Sequence, residues 1–421
     1  MSDTSGGRRW FAFLESNTTG TGRQFCAAAA ARGMRPVLLA RDPDRYPYAA
    51  EDRVETLVLD TGDFDAVREA CERLASGAGL AGVASSSEYF VAPAARVAAK
   101  LGLPAADGDA IARCRRKDAQ RDLLAAAGVP SPDHRCVGEI AEALDAAREI
   151  GYPVVLKPVS GSGSVGVKLC RDEEETRQWA DRLLSRTGDE RGTPVPRRLL
   201  VEAAVDGPEF SVETFGTDVV TVVGKHIGPE PYFVETGHDV PAAVPEGVRA
   251  ALADTAVRAL AALGLGWGAA HTELRWSASG PVVIEVNPRL AGGMIPAAVK
   301  AATGTDLVDA VVARASDGSL PAPGSAAGHA AVRFLMAPGA GRVTAVGGLD
   351  EAAAGPGVVL AHATTAAGKT VGITHSFLDR LGYAVATGRD AEEAARRAGA
   401  AVRQIRIEMR ATEWDEGGGG Q

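Results

Sequence analysis

Residues 269–276 (Ala-Ala-His-Thr-Glu-Leu-Arg-Trp) and 281–287 (Pro-Val-Val-Ile-Glu-Val-Asn) flank the turn-forming Ser277-Ala278-Ser279-Gly280 and read as one β-hairpin. Pairing about a centre near Ser279 sets Glu273 opposite Glu285, and strand alternation puts Asn287 on the face of Glu285. Two carboxylates directly across a ladder repel unless something cationic lies between them. Three converging oxygen donors suit a hard divalent cation, and Mg²⁺ shared with nucleotide phosphates fits best. Glu-x-Asn alone also suits an amphipathic hairpin with a solvated acidic face, so the rest of the chain must decide.

The chain has 421 residues, enough for two or three domains with sizeable cores. A net charge of −9 and 5% aromatic content argue against a nucleic-acid partner, which would draw on basic phosphate contacts and stacking side chains. No apolar run is long enough to span a membrane, and the first residues lack the pattern of a signal peptide. Five scattered cysteines without Cys-x-x-Cys make structural zinc and a disulfide framework poor readings, and the expected compartment is a reducing cytoplasm.

The first hundred residues alternate strand and helix: strands at Trp10–Glu15, Pro36–Ala40, Val54–Leu59 and Leu80–Ser85, helices at Gly22–Arg32, Phe64–Leu74 and Tyr89–Leu101. That rhythm predicts an open parallel α/β sheet. Residues 109–128 read as one helix, followed by a helix at 138–150, the strand Val154–Lys157, a glycine loop, a strand at 165–170 and a helix at 172–185. The polar segment 186–197 reads as a mobile loop. From residue 198 an antiparallel sheet begins; 229–247, rich in Pro and Gly, reads as a loop over a cleft. Helices are expected at 248–263, 296–302 and 306–316, with a linker at Pro321–Gly328. The fold class is therefore α/β (α+β), in units 1–107, 108–198, 199–322 and 323–412, with a disordered tail at 413–421.

Two further constellations carry chemistry. In Val154-Val155-Leu156-Lys157-Pro158-Val159-Ser160-Gly161-Ser162-Gly163-Ser164-Val165-Gly166, a buried strand delivers a lysine into a loop of glycines. Glycines let backbone N–H groups approach a phosphate, and the lysine adds a fixed positive charge, although this is not a Walker A loop. In Val201-Glu202-Ala203-Ala204-Val205-Asp206-Gly207-Pro208-Glu209, an apolar strand ends on an acid and turns, a form able to offer backbone groups to an adenine edge and a carboxylate to ribose. A shortened dinucleotide fingerprint, Thr18-x-Gly20-x-Gly22 with Asp42 about 20 residues on, has Phe25 where the third glycine belongs, so NAD is disfavoured.

Taken in order, Lys117, Lys157 with its glycine loop, Glu202 to Glu209, then Glu273, Glu285 and Asn287, the chain resembles the ATP-grasp superfamily over roughly residues 105–320. The resemblance implies ATP and Mg²⁺, two ions, with Mn²⁺ as a substitute. It implies Lys117 and Lys157 as nucleotide lysines and Ser160, Gly161, Ser162, Gly163, Ser164, Val165 and Gly166 as the phosphate-covering loop. Glu202, Ala203 and Val205 would be the adenine linker, Glu209 the ribose ligand, and Glu273, Glu285 and Asn287 the metal ligands.

A narrower resemblance is to the L-amino-acid ligases. It rests on residues 15–22, Ser86-Ser87-Glu88-Tyr89, Pro231-Tyr232-Phe233-Val234-Glu235-Thr236-Gly237-His238 and Asn287-Pro288-Arg289-Leu290-Ala291-Gly292-Gly293-Met294. It implies a carboxylate–amine ligase that phosphorylates a carboxylate and lets an amine displace the phosphate. Lys157 and Arg289 would then be catalytic, with Arg289, Gly292 and Gly293 holding a carboxylate or oxyanion. His238 would face the substrate as a further catalytic group, and Glu88 would receive an amine or cap a helix. His271, on the face of Glu273, would support the metal site from behind or simply pack in the core. Small-molecule carboxylate and amine substrates follow, with a homodimer through the N-terminal unit and a carrier-protein acceptor as further expectations. The competing readings are a bicarbonate-using carboxylase, a ligase loading a carrier thiol, and a non-catalytic nucleotide binder; no biotinylated Met-Lys-Met segment is present.

Overall fold

A computed structural model describes residues 8–17, 21–161, 163–188, 195–320, 324 and 328–411. The expected tail, most of the expected linker, part of the 186–197 loop, Ser162, and Thr18 and Gly20 of the shortened fingerprint lie outside the described residues.

Strands β1 (Trp10–Leu14), β2 (Arg35–Ala40), β3 (Glu55–Val58) and β4 (Leu80–Ala84) form a parallel sheet in the order β3-β2-β1-β4. Its central strands are apolar from Trp10 to Leu14 and from Pro36 to Ala40 because both faces are covered, as parallel sheets require. One cover comes from far along the chain. Val308, Val312 and Ala315 of the helix Leu307–Asp317 pack with Phe11, Phe13 and Phe25, so the N-terminal unit completes its core with a helix from another lobe.

The small lobe is a sheet of β5 (His134–Val137), β6 (Val154–Pro158), β7 (Lys168–Cys170) and β8 (Leu199–Ala203), in the order β5-β8-β6-β7. The helices Ile140–Ile150 and Glu173–Leu184 bury Ala147, Trp179 and Leu183 against it.

The largest sheet holds β9 (Glu209–Phe215), β10 (Asp218–Ile227), β11 (Glu235–Val240), β12 (Ala269–Ser277) and β13 (Gly280–Asn287). It continues through β14 (His329–Met336), β16 (Val358–Ala363) and β18 (Arg380–Gly388), in the order β13-β12-β9-β10-β11-β14-β18-β16. A separate small sheet joins β15 (Gly341–Gly347), β17 (Thr370–Val371) and β19 (Arg406–Ala411). The C-terminal module is therefore an extension of the large lobe, joined through the β11–β14 ladder.

Two local expectations give way to tertiary bonding. The helix expected over 109–128 is two, Gly108–Cys114 and Lys117–Ala126, because the Lys117 N–H donates to Val159 O at 2.9 Å. At the same joint the Gln120 amide side chain bonds Cys114 O at 2.8 Å and Val286 O at 2.9 Å, outweighing a continuous ladder. The segment 229–247 is not a loop throughout: 235–240 is β11, made a strand by partners on both sides, β10 and β14. The five cysteines are free, and among the described residues no helix is long and apolar enough to cross a membrane.

Candidate active site

A continuous cleft of about 2740 Å³ runs between the small lobe, the large sheet, the C-terminal ends of the parallel strands and the C-terminal module. Single drug-sized ligands occupy roughly 300–1,000 Å³, so the space suits a nucleotide with further substrates.

On the small-lobe wall, Lys157 stands near the end of β6, its Nζ 2.6 Å from Glu202 of β8. Glu202 also accepts from Arg121 Nε at 2.8 Å, and Arg121 reaches on to Ile284 O. All three side chains are buried. Burial would raise the Glu202 carboxyl, yet Arg121 and then Lys157 hold it below its ordinary range; burial lowers Lys157. The Glu202 side chain is thus engaged in the wall, while Ala203 and Val205 line the cleft.

Lys117 opens its helix, and its Nζ spans two groups: Gly161 O at 2.8 Å and Glu285 at 2.8 Å. Gly163, Ser164, Val165 and Gly166 line the cleft, Gly161, Gly163 and Gly166 with positive φ. Ser164 is also left-handed (φ 62°) and its Oγ donates to Phe233 O at 2.8 Å. Ser160 leads into the loop.

On the opposite wall Glu273 pairs with Glu285 in the β12–β13 register, as the hairpin reading predicts, and Asn287 pairs with His271. Glu273, Glu285 and Asn287 all line the cleft. Each carboxylate has found a cation: Lys117 for Glu285, and Lys225 Nζ at 3.3 Å and His271 Nε2 at 3.0 Å for Glu273. Against the penalty of burial, Lys225 and His271 drive Glu273 well below the usual carboxylate range. His271 also meets Glu213 at 2.7 Å; burial opposes, but Glu213 and then Glu273 lift it to about 9. Among the described residues no three His, Cys, Asp or Glu groups form a metal cage. The third donor here is an amide, and two carboxylates with one amide fit a cation that completes its shell with phosphate oxygens.

Lys225 is the group sequence reasoning missed. Buried on β10, it gathers Glu209 at 2.9 Å, Glu235 at 2.6 Å and Glu273, and burial notwithstanding it is raised well above the ordinary lysine range. Its signal lay in the alternation Thr221, Val223, Lys225, which places the lysine on an inward face. Glu209 is further held by Arg275 at 3.1 Å, so both its oxygens are engaged. Glu235 is bound by Arg380 at 2.8 Å, a residue of the C-terminal module with no local sequence signal.

At the far end Arg289 binds Glu88 through Nη2 at 2.7 Å and Nε at 3.1 Å. The two lie 201 residues apart and both line the cleft. Glu88 therefore does not cap a helix; despite burial, Arg289 keeps its carboxyl low. Gly292 and Gly293 border the same end.

His238 is a correction. It is 0% exposed, lies behind the cleft wall against Phe334, and has no hydrogen bond at either nitrogen. A Cβ on Gly293 would come within 2.6 Å of its Nε2. Burial lowers it to about 3, so the ring is neutral, and it does not face a substrate as expected. Cover, not direction, is the reason: His238 pairs with Lys225 and shares its face, its Nε2 3.6 Å from Glu235, but Gly293 and Phe334 lie over the ring while Glu235 lines the cleft.

Comparison with known proteins agrees with this architecture. Residues 26–105 match the ATP-grasp N-terminal domain, 150–297 the ATP-grasp domain, and 333–410 the L-amino acid ligase C-terminal domain 2. The uncharacterised protein y4rH of Sinorhizobium fredii is 38% identical over 373 residues, covering 89% of this chain and 77% of y4rH. The alanine–anticapsin ligase of Bacillus subtilis is 28% identical over 276 residues, and the match covers 60% of this chain and 56% of that ligase. The L-amino acid ligase of Bacillus licheniformis shares the fold with a TM-score of 0.79 at 22% identity, over 96% of this chain and 99% of that one. The chain belongs to the ATP-grasp superfamily of ligases, in the branch that ends in the L-amino acid ligase C-terminal domain.

Proposed function

We propose that this protein is an ATP-dependent carboxylate–amine ligase whose substrates are amino acids. The observation that carries this reading is the Arg289–Glu88 pair at the end of a cleft whose other walls carry lysines, a glycine loop and paired acids. A guanidinium beside a carboxylate is complementary to a carboxylate beside an ammonium group, the two charges every free amino acid carries.

In this reading a substrate carboxylate oxygen bonds to the γ-phosphorus as ADP departs. A second amino acid's nitrogen then bonds to the acyl carbon as phosphate leaves; its ammonium group gives up two protons, to solvent or the departing phosphate, and keeps the third as the amide N–H. Phosphoryl transfer asks the protein for positioning and charge more than for covalent help. Lys157 and Lys117 supply fixed positive charge beside the phosphates, and the backbone of Gly163–Gly166 covers them and excludes water. Ala203 and Val205 border the adenine, and Glu209 the ribose. Arg289 holds the reacting carboxylate, and the Gly292–Gly293 backbone its oxyanion. Glu273, Glu285 and Asn287 would hold Mg²⁺, two ions with the phosphates, and Mn²⁺ in its place; the metal supplies neutralisation of phosphate charge.

A screen of paired amino acids, with phosphate release and mass spectrometry of products, tests this. The expected result is an amide with one ADP and one phosphate per bond. AMP and pyrophosphate, or a thioester on a carrier protein in place of an amide, would overturn it.

A further inference from the structure

The glycine loop does not stand alone over the cleft. A Cβ built on Gly163 would overlap the ring of Phe377, and the Phe377 N–H donates to Gly163 O at 3.2 Å. Next to this contact the rings of Tyr232 and His375 lie stacked, centroids 3.8 Å apart and planes within 5°. Ser164 Oγ reaches Phe233 O. Three segments thus close on one another: the loop from the small lobe, residues 232–233 from the large lobe, and the turn 374–379 from the C-terminal module.

That turn is stiff. The buried Asp379 carboxylate accepts from Thr374 N at 2.8 Å, Thr374 Oγ1 at 2.6 Å and His375 N at 2.9 Å, and Asp379 O accepts from Ala337 N at 2.7 Å. His375 and Ser164, one on each side of the junction, are non-glycine residues with φ of 55° and 62°. A left-handed residue other than glycine is strained and persists only where its surroundings dictate it, commonly at ligand clamps.

We propose that the turn 374–379 is a latch for the glycine loop, with Phe377 and His375 as positioning residues. They hold Gly163 and Ser164 down over the nucleotide phosphates, so that the γ-phosphoryl group meets the carboxylate and not water. Gly163 is then glycine to admit Phe377 as well as to approach phosphate. The role assigned to the latch rests on the ligase reading; the contact itself can be tested without it.

Hydrogen–deuterium exchange over residues 163–167 of the full chain, with no substrate present, is the first measurement. Losing one aromatic contact of this kind in Phe377→Ala is expected to speed exchange roughly three- to tenfold there, and leave β14 and β18 unchanged. His375→Ala should give a smaller rise, Phe377→Leu should stay near wild type, and Leu378→Ser, at a side chain 53% exposed, should change nothing. In turnover assays Phe377→Ala should raise the KM for ATP severalfold and release phosphate in excess of amide. Gly163→Ala should be the more damaged variant, and adding Phe377→Ala should restore part of its ATP binding. Unchanged loop exchange with an unchanged KM for ATP overturns the proposal. So does acceleration spread equally through β14 and β18 with no rescue in the double variant, which would make Phe377 a general packing residue. If no amino-acid pair gives product, the exchange and ATP-binding results still decide the latch.

Discussion

The two charged clusters on either side of the cleft are built in opposite senses. On the small-lobe side one acid, Glu202, is shared by two cations, Arg121 and Lys157. On the large-sheet side one lysine, Lys225, bridges three acids, Glu209, Glu235 and Glu273, whose second partners are Arg275, Arg380 and His271. The first leaves positive charge over, suited to phosphates. The second, with Glu213 and Glu285 counted, sets more acids than the cations Lys225, Arg275, Arg380 and His271 on its own side, and so leaves negative charge suited to a metal ion and an ammonium group. Each minority charge holds its cluster together, so the two sides must respond differently to loss of a cation.

The largest effect is expected from Glu285→Gln on the acid-rich side. It removes a metal ligand while keeping shape, and turnover should fall on the order of a thousandfold or more, about 4 kcal/mol, with the thermal midpoint little changed. Activity retained at ordinary magnesium would contradict the site. Lys225→Met comes next: Arg275, Arg380 and His271 still hold one acid each, but three buried carboxylates lose the cation that keeps them apart, which should cost about 3 kcal/mol in denaturant unfolding. Adding Glu235→Gln should recover part of that loss. Lys157→Ala is the matching deletion opposite. Arg121 still balances Glu202, so stability should hardly move while the KM for ATP rises roughly ten- to a hundredfold. If Lys157→Ala unfolded the protein and Lys225→Met did not, the contrast would be lost.

The smallest effect concerns His238, buried beside Lys225 and Glu235 under Gly293 and Phe334. Burial, against the pull of Glu235 and together with the cations Arg380, Lys225 and His271, lowers it from 6.5 to about 3. The unfolded chain then binds the proton more readily, so this contribution is complete above about pH 6.5 and drains away as pH falls toward 3. At about pH 5.5 the loss is about 1.4 kcal/mol. His238→Phe should flatten the acid limb of stability against pH between those limits; an unaltered slope would mean that the ring is already protonated.

What could be read from the sequence was what its own neighbours determine. The hairpin was legible because turn, alternation and both acids lie within nineteen residues, 269–287. Lys157 and its loop were legible because a strand end and three glycines adjoin. Arg121, Lys225 and Arg380 were not, because each owes its role to partners on other strands: Arg121 to Glu202, Arg380 to Glu235. The same holds for β11, whose Pro- and Gly-rich surroundings read as loop until β14, ninety residues on, supplies a second ladder. His238 was misplaced for a related reason: periodicity gives its face, which is that of Lys225, but not that Gly293 and Phe334, from other segments, cover it there.

The uninterrupted run of eight strands from β13 to β16 has a practical corollary. A polypeptide cut after residue 320 would strip β14 from β11 and bare a row of unpaired amides beside the Glu235–Lys225 pair. Such a fragment should clump rather than fold, and the terminal quarter cannot be exchanged between relatives like a cassette. New specificities would have to arise by point changes within one seamless body.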